Sequence, residues 1–169
     1  MNKYTIARIP LEEIATIKRI YRQGKENSGY QGDPVRKRFK KEDYNKSIVS
    51  SETFFCDLLN EELVAIASKY AKLTPDTYIS NIHYINYKEG DECKAHVDEW
   101  SSVKTFIILL NEDFEGGEFF IDDQTVPFRV GDVLEFDDKA IHGVRMVTKG
   151  NREVLVIWTL KTESAVEGC

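Results

Sequence analysis

Two histidines and an aspartate stand out among the chain's polar residues. His96 and Asp98 form a His-x-Asp pair, and His142 follows 44 residues after Asp98, immediately before a predicted strand. In an extended segment His96 and Asp98 share one face. Two imidazoles and one carboxylate on one side of a metal suit a ferrous ion and leave three adjacent coordination positions for a cosubstrate and O2. The chain holds three histidines in all, so a metal site must draw on them and on carboxylates. A His-x-Asp pair alone is a weak signal, because such pairs occur by chance on many surfaces, and an ordinary structural histidine is the starting expectation for His96.

Arg152 changes that balance. It lies ten residues after His142 and heads the run Glu153-Val154-Leu155-Val156-Ile157-Trp158, so Arg152, Val154, Val156 and Trp158 fall on one face of a strand. Inside an apolar barrel a guanidinium is costly unless it meets an anion, and its planar fork suits a carboxylate. A bound dicarboxylate is one reading; a solvent-facing arginine at a strand end is the other. The remaining polar residues attract structural readings. His83 reads as a strand histidine, Cys93 as a small packing residue sensitive to oxidation, and Asp122-Asp123 and Asp137-Asp138 as turn aspartates. Glu99 and Trp100 fit a substrate entrance and a plain surface equally well. No Ser/His/Asp or Cys/His set suggests nucleophilic catalysis.

These residues need elements to hold them. Lys3–Ile9 alternates as an opening strand. Pro10 fits the first position of a helix carrying Leu11, Ile14, Ile17, Ile20 and Tyr21 at helical spacing. From Gly24 to about Lys46 the pattern stops, and residues 27–34 are turn chemistry, so a long loop of the lid or binding kind is expected there. Ser50 or Ser51 caps a second expected helix bearing Phe54, Phe55, Leu58, Leu59, Leu63, Ile66, Ala67 and Tyr70, ended by Thr74-Pro75. Short β-rich runs follow at 78–87, 103–111, 117–121, 125–130, 133–136, 143–147 and 153–161. The order predicts an α+β chain whose helices brace an antiparallel barrel or sandwich.

The chain has 169 residues, 41% hydrophobic and 31% charged, which suits one globular domain. No apolar run approaches the ~20 residues of a membrane span. No secretory signal is visible, and three widely spaced cysteines (Cys56, Cys93, Cys169) form no disulfide framework or CxxC site. A cytoplasmic protein is the expectation. Residues 18–46 carry ten basic residues against four acidic ones, +6 within a net charge of -6, so the remainder sums to -12. Such a segment can face an acidic partner or nucleic acid, but a solvated surface is the favoured reading.

Residues 78–161 resemble the catalytic domain of 2-oxoglutarate/Fe(II)-dependent dioxygenases of the prolyl 4-hydroxylase-like branch. The resemblance rests on Tyr87-x-x-Gly90-x5-His96-x-Asp98, on Thr105–Asn111 followed by Asp113-Phe114-Glu115-Gly116-Gly117-Glu118, and on Gly131-Asp132-Val133-Leu134-Glu135-Phe136 ahead of His142. It implies a double-stranded β-helix (jelly-roll or cupin-like) core at 78–161, with residues 1–77 supplying a strand, bracing helices and the basic loop of one domain. It implies His96, Asp98 and His142 as iron ligands, Arg152 for the distal carboxylate of 2-oxoglutarate, and Tyr87, Thr105 and Trp158 in the cosubstrate pocket. Fe(II), 2-oxoglutarate and O2 would be required, with ascorbate as a candidate reductant. The implied reaction hydroxylates an unactivated C–H bond, with a prolyl residue of a peptide or protein as first choice, releasing succinate and CO2. A free amino acid or small metabolite, alkylated nucleic acid, and a non-catalytic β-barrel binding module are the alternatives. A sequence pI near 5.2 and the lack of an aromatic stacking platform weigh against nucleic acid.

Overall fold

The structure is a computed structural model that describes residues 3–27, 52–55, 60–98, 103–137 and 139–162. Most of the basic segment, Cys56, Glu99, Trp100 and Cys169 therefore lie outside the described residues. Twelve strands and two helices are present among those described. They are β1 (Tyr4–Arg8), α1 (Leu11–Asn27), β2 (Glu52–Phe55), α2 (Glu61–Tyr70), β3 (Thr77–Tyr87), β4 (Cys93–His96), β5 (Lys104–Leu109), β6 (Phe114–Gly116), β7 (Phe119–Ile121), β8 (Gln124–Thr125), β9 (Asp132–Asp137), β10 (His142–Val144), β11 (Val147–Gly150) and β12 (Arg152–Lys161).

All pairings are antiparallel. A six-stranded sheet runs β1-β9-β5-β12-β3-β2, a four-stranded sheet runs β4-β10-β7-β8, and β11 pairs with β6. This is the α+β, double-stranded β-helix arrangement. The central strands β5 and β12 of the large sheet are buried on both faces, which explains their nearly continuous apolar runs. Strand alternation divides its side chains cleanly. Ile107, Leu134, Val154 and Val156 face the small sheet and pack with Phe119, Ile121 and Val144. Phe106, Ile108, Val133, Leu155 and Ile157 face the helices and pack with Ile14, Ile17, Leu63 and Ile66. Helix α1 opens on the carbonyl of Pro10, which accepts from Glu13 and Ile14. It runs through Gly24 to Asn27, three residues past the break expected at that glycine, while Leu11 is left exposed.

Three expectations change. The second helix does not begin near Ser50: residues 52–55 form β2, paired with β3, because the edge of β3 offers a free hydrogen-bonding ladder there. The helix begins at Glu61, where Asn60 caps it by accepting from the Leu63 N–H at 3.0 Å. The expected strand 117–121 shortens to β7, with Gly117 and Glu118 outside it, and the expected strand 143–147 is interrupted by Arg145 and Met146. Of the run 125–130, Thr125 alone is in a strand. β1 and β2, from the first 77 residues, are integral strands of the large sheet.

Candidate metal centre

The register of the small sheet brings the two halves of the metal set together. His142 on β10 sits directly opposite His96 on β4, and their ring centroids are 4.4 Å apart. Close approach of these strands requires a glycine after His142. A Cβ at Gly143 would stand 2.4 Å from the Cys93 carbonyl and 2.5 Å from Phe120 Cζ. Asp98, just past the end of β4, completes the set. One ligand atom from each of His96, Asp98 and His142 lies within 4.8 Å of the others.

The atoms face one another in a way that suits a cation. Asp98 Oδ1 is 3.3 Å from His96 Nε2 and 3.1 Å from His142 Nε2. Each histidine has its other nitrogen occupied: His96 Nδ1 is 2.8 Å from the Lys94 carbonyl and His142 Nδ1 is 2.8 Å from the Ala140 carbonyl. With Nδ1–H donating to those carbonyls, each ring turns Nε2, the atom a metal would take, toward Asp98 Oδ1. Burial pushes the Asp98 carboxyl up, but hydrogen bonds from His142, His96 and Thr105 override it and hold the group well below the usual carboxylate range. Burial lowers His96, yet its contacts with Asp98 and Cys93 raise it to about 10. The pocket thus concentrates negative potential where a proton sits in the metal-free protein, and a divalent ion fits the same donors.

Arg152 lies in the same cavity. It is 2% exposed, its Nε has no hydrogen-bond partner, and no carboxylate forms an ion pair with it among the described residues. Burial lowers its pKa, opposed by Tyr87 and Cys93. Its guanidinium carbon stands 5.4 Å from the Tyr87 ring centroid, Tyr87 being its register partner on β3. A Cβ at Gly117 would come within 3.0 Å of Arg152 Cδ, so the Gly-Gly turn presses on the arginine's stem. Without a carboxylate partner among the described residues, this buried guanidinium lines the same cavity as the candidate metal ligands, an arrangement that suits an anion.

All seven site residues expected from the sequence (Tyr87, His96, Asp98, Thr105, His142, Arg152 and Trp158) line this one cavity. Thr105 and Trp158 are there, but their polar hydrogens go to Asp98 Oδ2, at 2.6 and 3.2 Å. Sequence reasoning missed the Lys94 and Ala140 carbonyls and the Cys93 Sγ, 3.5 Å from His96 Nδ1. Backbone acceptors have no residue signature. His83, buried on β3 and edge-on to Trp158 at 4.5 Å, stands apart from the metal set.

Comparison with known proteins agrees with this geometry. Residues 82–160 match the family model of the 2OG-Fe(II) oxygenase superfamily. The matched segment carries the whole small sheet and the His/Asp/His set, and it is similar to a 2-oxoglutarate/Fe(II) oxygenase domain. A PKHD-type hydroxylase of Gloeothece citriformis (strain PCC 7424) is 30% identical over 93 residues, covering 47% of this chain and 42% of that protein; the chain thus matches about two fifths of its curated relative. Among solved structures, a viral collagen prolyl hydroxylase from Paramecium Bursaria Chlorella virus-1 has a TM-score of 0.66 at 13% identity, covering 94% of this chain and 96% of that one. A Pseudomonas putida prolyl-4-hydroxylase has a TM-score of 0.65 at 14% identity, covering 94% and 92%. HygX from Streptomyces hygroscopicus, solved with nickel and 2-oxoglutarate bound, has a TM-score of 0.65 at 11% identity, covering 93% and 82%. Domains of this superfamily use Fe(II), 2-oxoglutarate and O2.

Proposed function

We propose that this chain is a 2-oxoglutarate- and Fe(II)-dependent dioxygenase that hydroxylates an unactivated C–H bond, acting on a prolyl residue of a peptide or protein and releasing succinate and CO2. The observation that carries this reading is the shared cavity: a convergent His96/Asp98/His142 set and a buried Arg152 that forms no ion pair among the described residues. His96, Asp98 and His142 would hold the iron, and Arg152 would take the distal carboxylate of 2-oxoglutarate through its fork. Tyr87, beside Arg152, would orient the cosubstrate. Ile107, Phe119 and Val156 wall the cavity and keep bulk water from the reacting centre. When bound, iron with 2-oxoglutarate and O2 supplies the oxidising power; the protein supplies ligands, orientation and dryness. The prolyl target is supported by the kind of relatives the chain resembles, a hydroxylase in sequence and two prolyl hydroxylases in fold. No helix of the described residues is long and apolar enough to cross a membrane, and a cytoplasmic setting, in keeping with the buried free thiol of Cys93, is part of the proposal.

The test is an anaerobic titration of metal-free protein with Fe(II) and 2-oxoglutarate, following the visible charge-transfer absorption of the chelate. The band should saturate in the wild type, weaken in Arg152→Ala and vanish in His142→Ala. A folded wild type with no band would overturn the oxygenase reading. Succinate release on proline-containing peptides, against free amino acids and methylated oligonucleotides, then decides the substrate class.

A further inference from the structure

The three metal-site residues are oriented by different means. Both histidines are set by the main chain, each through the carbonyl two residues before it. Asp98 instead depends on side chains. Its Oδ2 accepts from Thr105 Oγ1 at 2.6 Å and from Trp158 Nε1 at 3.2 Å. Those two donors are direct partners in the register of β5 and β12, so a single rung of the large sheet carries both. Thr105 is 1% and Trp158 6% exposed, and water does not compete for the carboxylate.

Resting on the assignment of His96, Asp98 and His142 as an iron site, we propose that the Thr105–Trp158 rung keeps Asp98 attached to the metal through Oδ1 alone. A carboxylate can bind a cation through one oxygen or both. If Oδ2 were free, rotation of the carboxyl would bring it onto the ion and fill a position that the cosubstrate or O2 needs. Two bonds to an anionic oxygen, one of them short, oppose that rotation, since charge-assisted bonds are about twice as strong as neutral ones. Thr105 and Trp158 are therefore positioning residues acting on Asp98. This differs from the cosubstrate contacts expected for them from the sequence.

The experiment uses Co(II), whose visible absorption reports its coordination, in the full chain. Co(II) affinity, the Co(II) spectrum and 2-oxoglutarate affinity of the Co(II) protein are measured for the wild type, Thr105→Val, Thr105→Ser and Trp158→Phe. Partners of metal ligands are commonly worth about 10–100-fold, so Thr105→Val and Trp158→Phe should weaken 2-oxoglutarate by about tenfold or more while still binding Co(II) with an altered spectrum. Thr105→Ser, which restores the hydroxyl, should behave as the wild type. Spectra and 2-oxoglutarate affinities unchanged in Thr105→Val and Trp158→Phe would overturn the proposal. So would losses in Thr105→Val that Thr105→Ser does not recover, since these would mark a packing role. A wild type that binds no Co(II) removes the metal-site assignment itself, and the proposal with it.

Discussion

At the scale of single residues, Arg152 poses the largest unbalanced cost. A buried guanidinium without an anion destabilises the fold that contains it, and an apolar side chain of similar length removes that cost. Arg152→Met should therefore stabilise the ligand-free protein by about 1–3 kcal/mol, seen as a rise in Tm of roughly 2–4 °C per kcal/mol. The same variant should lose the thermal shift that 2-oxoglutarate with metal gives the wild type, since a ligand stabilises only the state it binds. Scanning calorimetry with and without 2-oxoglutarate checks both halves. A lower ligand-free Tm in Arg152→Met would show that the cation is already compensated in the folded protein. This behaviour is half legible in the sequence. The strand face of Arg152 follows from alternation, but its depth depends on β3 and the Gly116-Gly117 turn closing over it.

At the scale of elements, the β4/β10 pair and the start of α2 make separate predictions. Gly143→Ala puts a methyl group into the Cys93 carbonyl and the Phe120 ring, where overpacking costs typically about 1–3 kcal/mol. Because His96 and His142 pair across this contact, the variant should also bind Co(II) or Ni(II) more weakly, measured by metal titration of the folded fraction. Unchanged metal affinity would mean the two strands need not be this close. At the other end of the chain's logic, Asn60→Ala removes the cap of α2 and should cost about 1 kcal/mol in urea unfolding while leaving metal binding alone, because α2 packs on the far face of the large sheet. Strand β4 escaped sequence reading because it is four residues long with two exposed positions and no apolar alternation. The helix start was misplaced because Phe54, Phe55, Leu58 and Leu59 precede Leu63 and Ile66 in one apolar pattern, in which periodicity alone cannot tell a short strand from a helix.

At the scale of the whole molecule, stability should depend on pH through His83. Burial pushes its imidazole down to about 3, below the ordinary value near 6.5, so the unfolded chain takes up the proton more readily than the folded one. Its contribution is complete above pH 6.5 and is lost as pH falls toward 3, about 2 kcal/mol between pH 7 and 5. His96, raised in the metal-free protein, has the opposite sign: its contribution is complete below pH 6.5 and lost as pH rises through about 10. Comparing urea unfolding of the wild type with His83→Gln at pH 7 and pH 5 isolates the His83 share. The wild type should lose about 2 kcal/mol more than the variant over that interval; equal losses would mean that His83 does not change protonation on unfolding.

The sequence by itself marked the residues that line the candidate site and the antiparallel, β-rich character of the chain that holds them. The spacing of His96, Asp98 and His142, the Gly-Asp segment before His142 and the apolar run after Arg152 are local patterns, readable because strand alternation and turn residues act over a few positions. Tertiary structure alone decided which hydrogen bonds finish the site. Thr105 meets Asp98 across seven residues and Trp158 meets it across sixty, and both contacts exist because the β5–β12 register sets those donors side by side. Register is a property of paired strands, so a role that depends on it has no signature in either strand read alone.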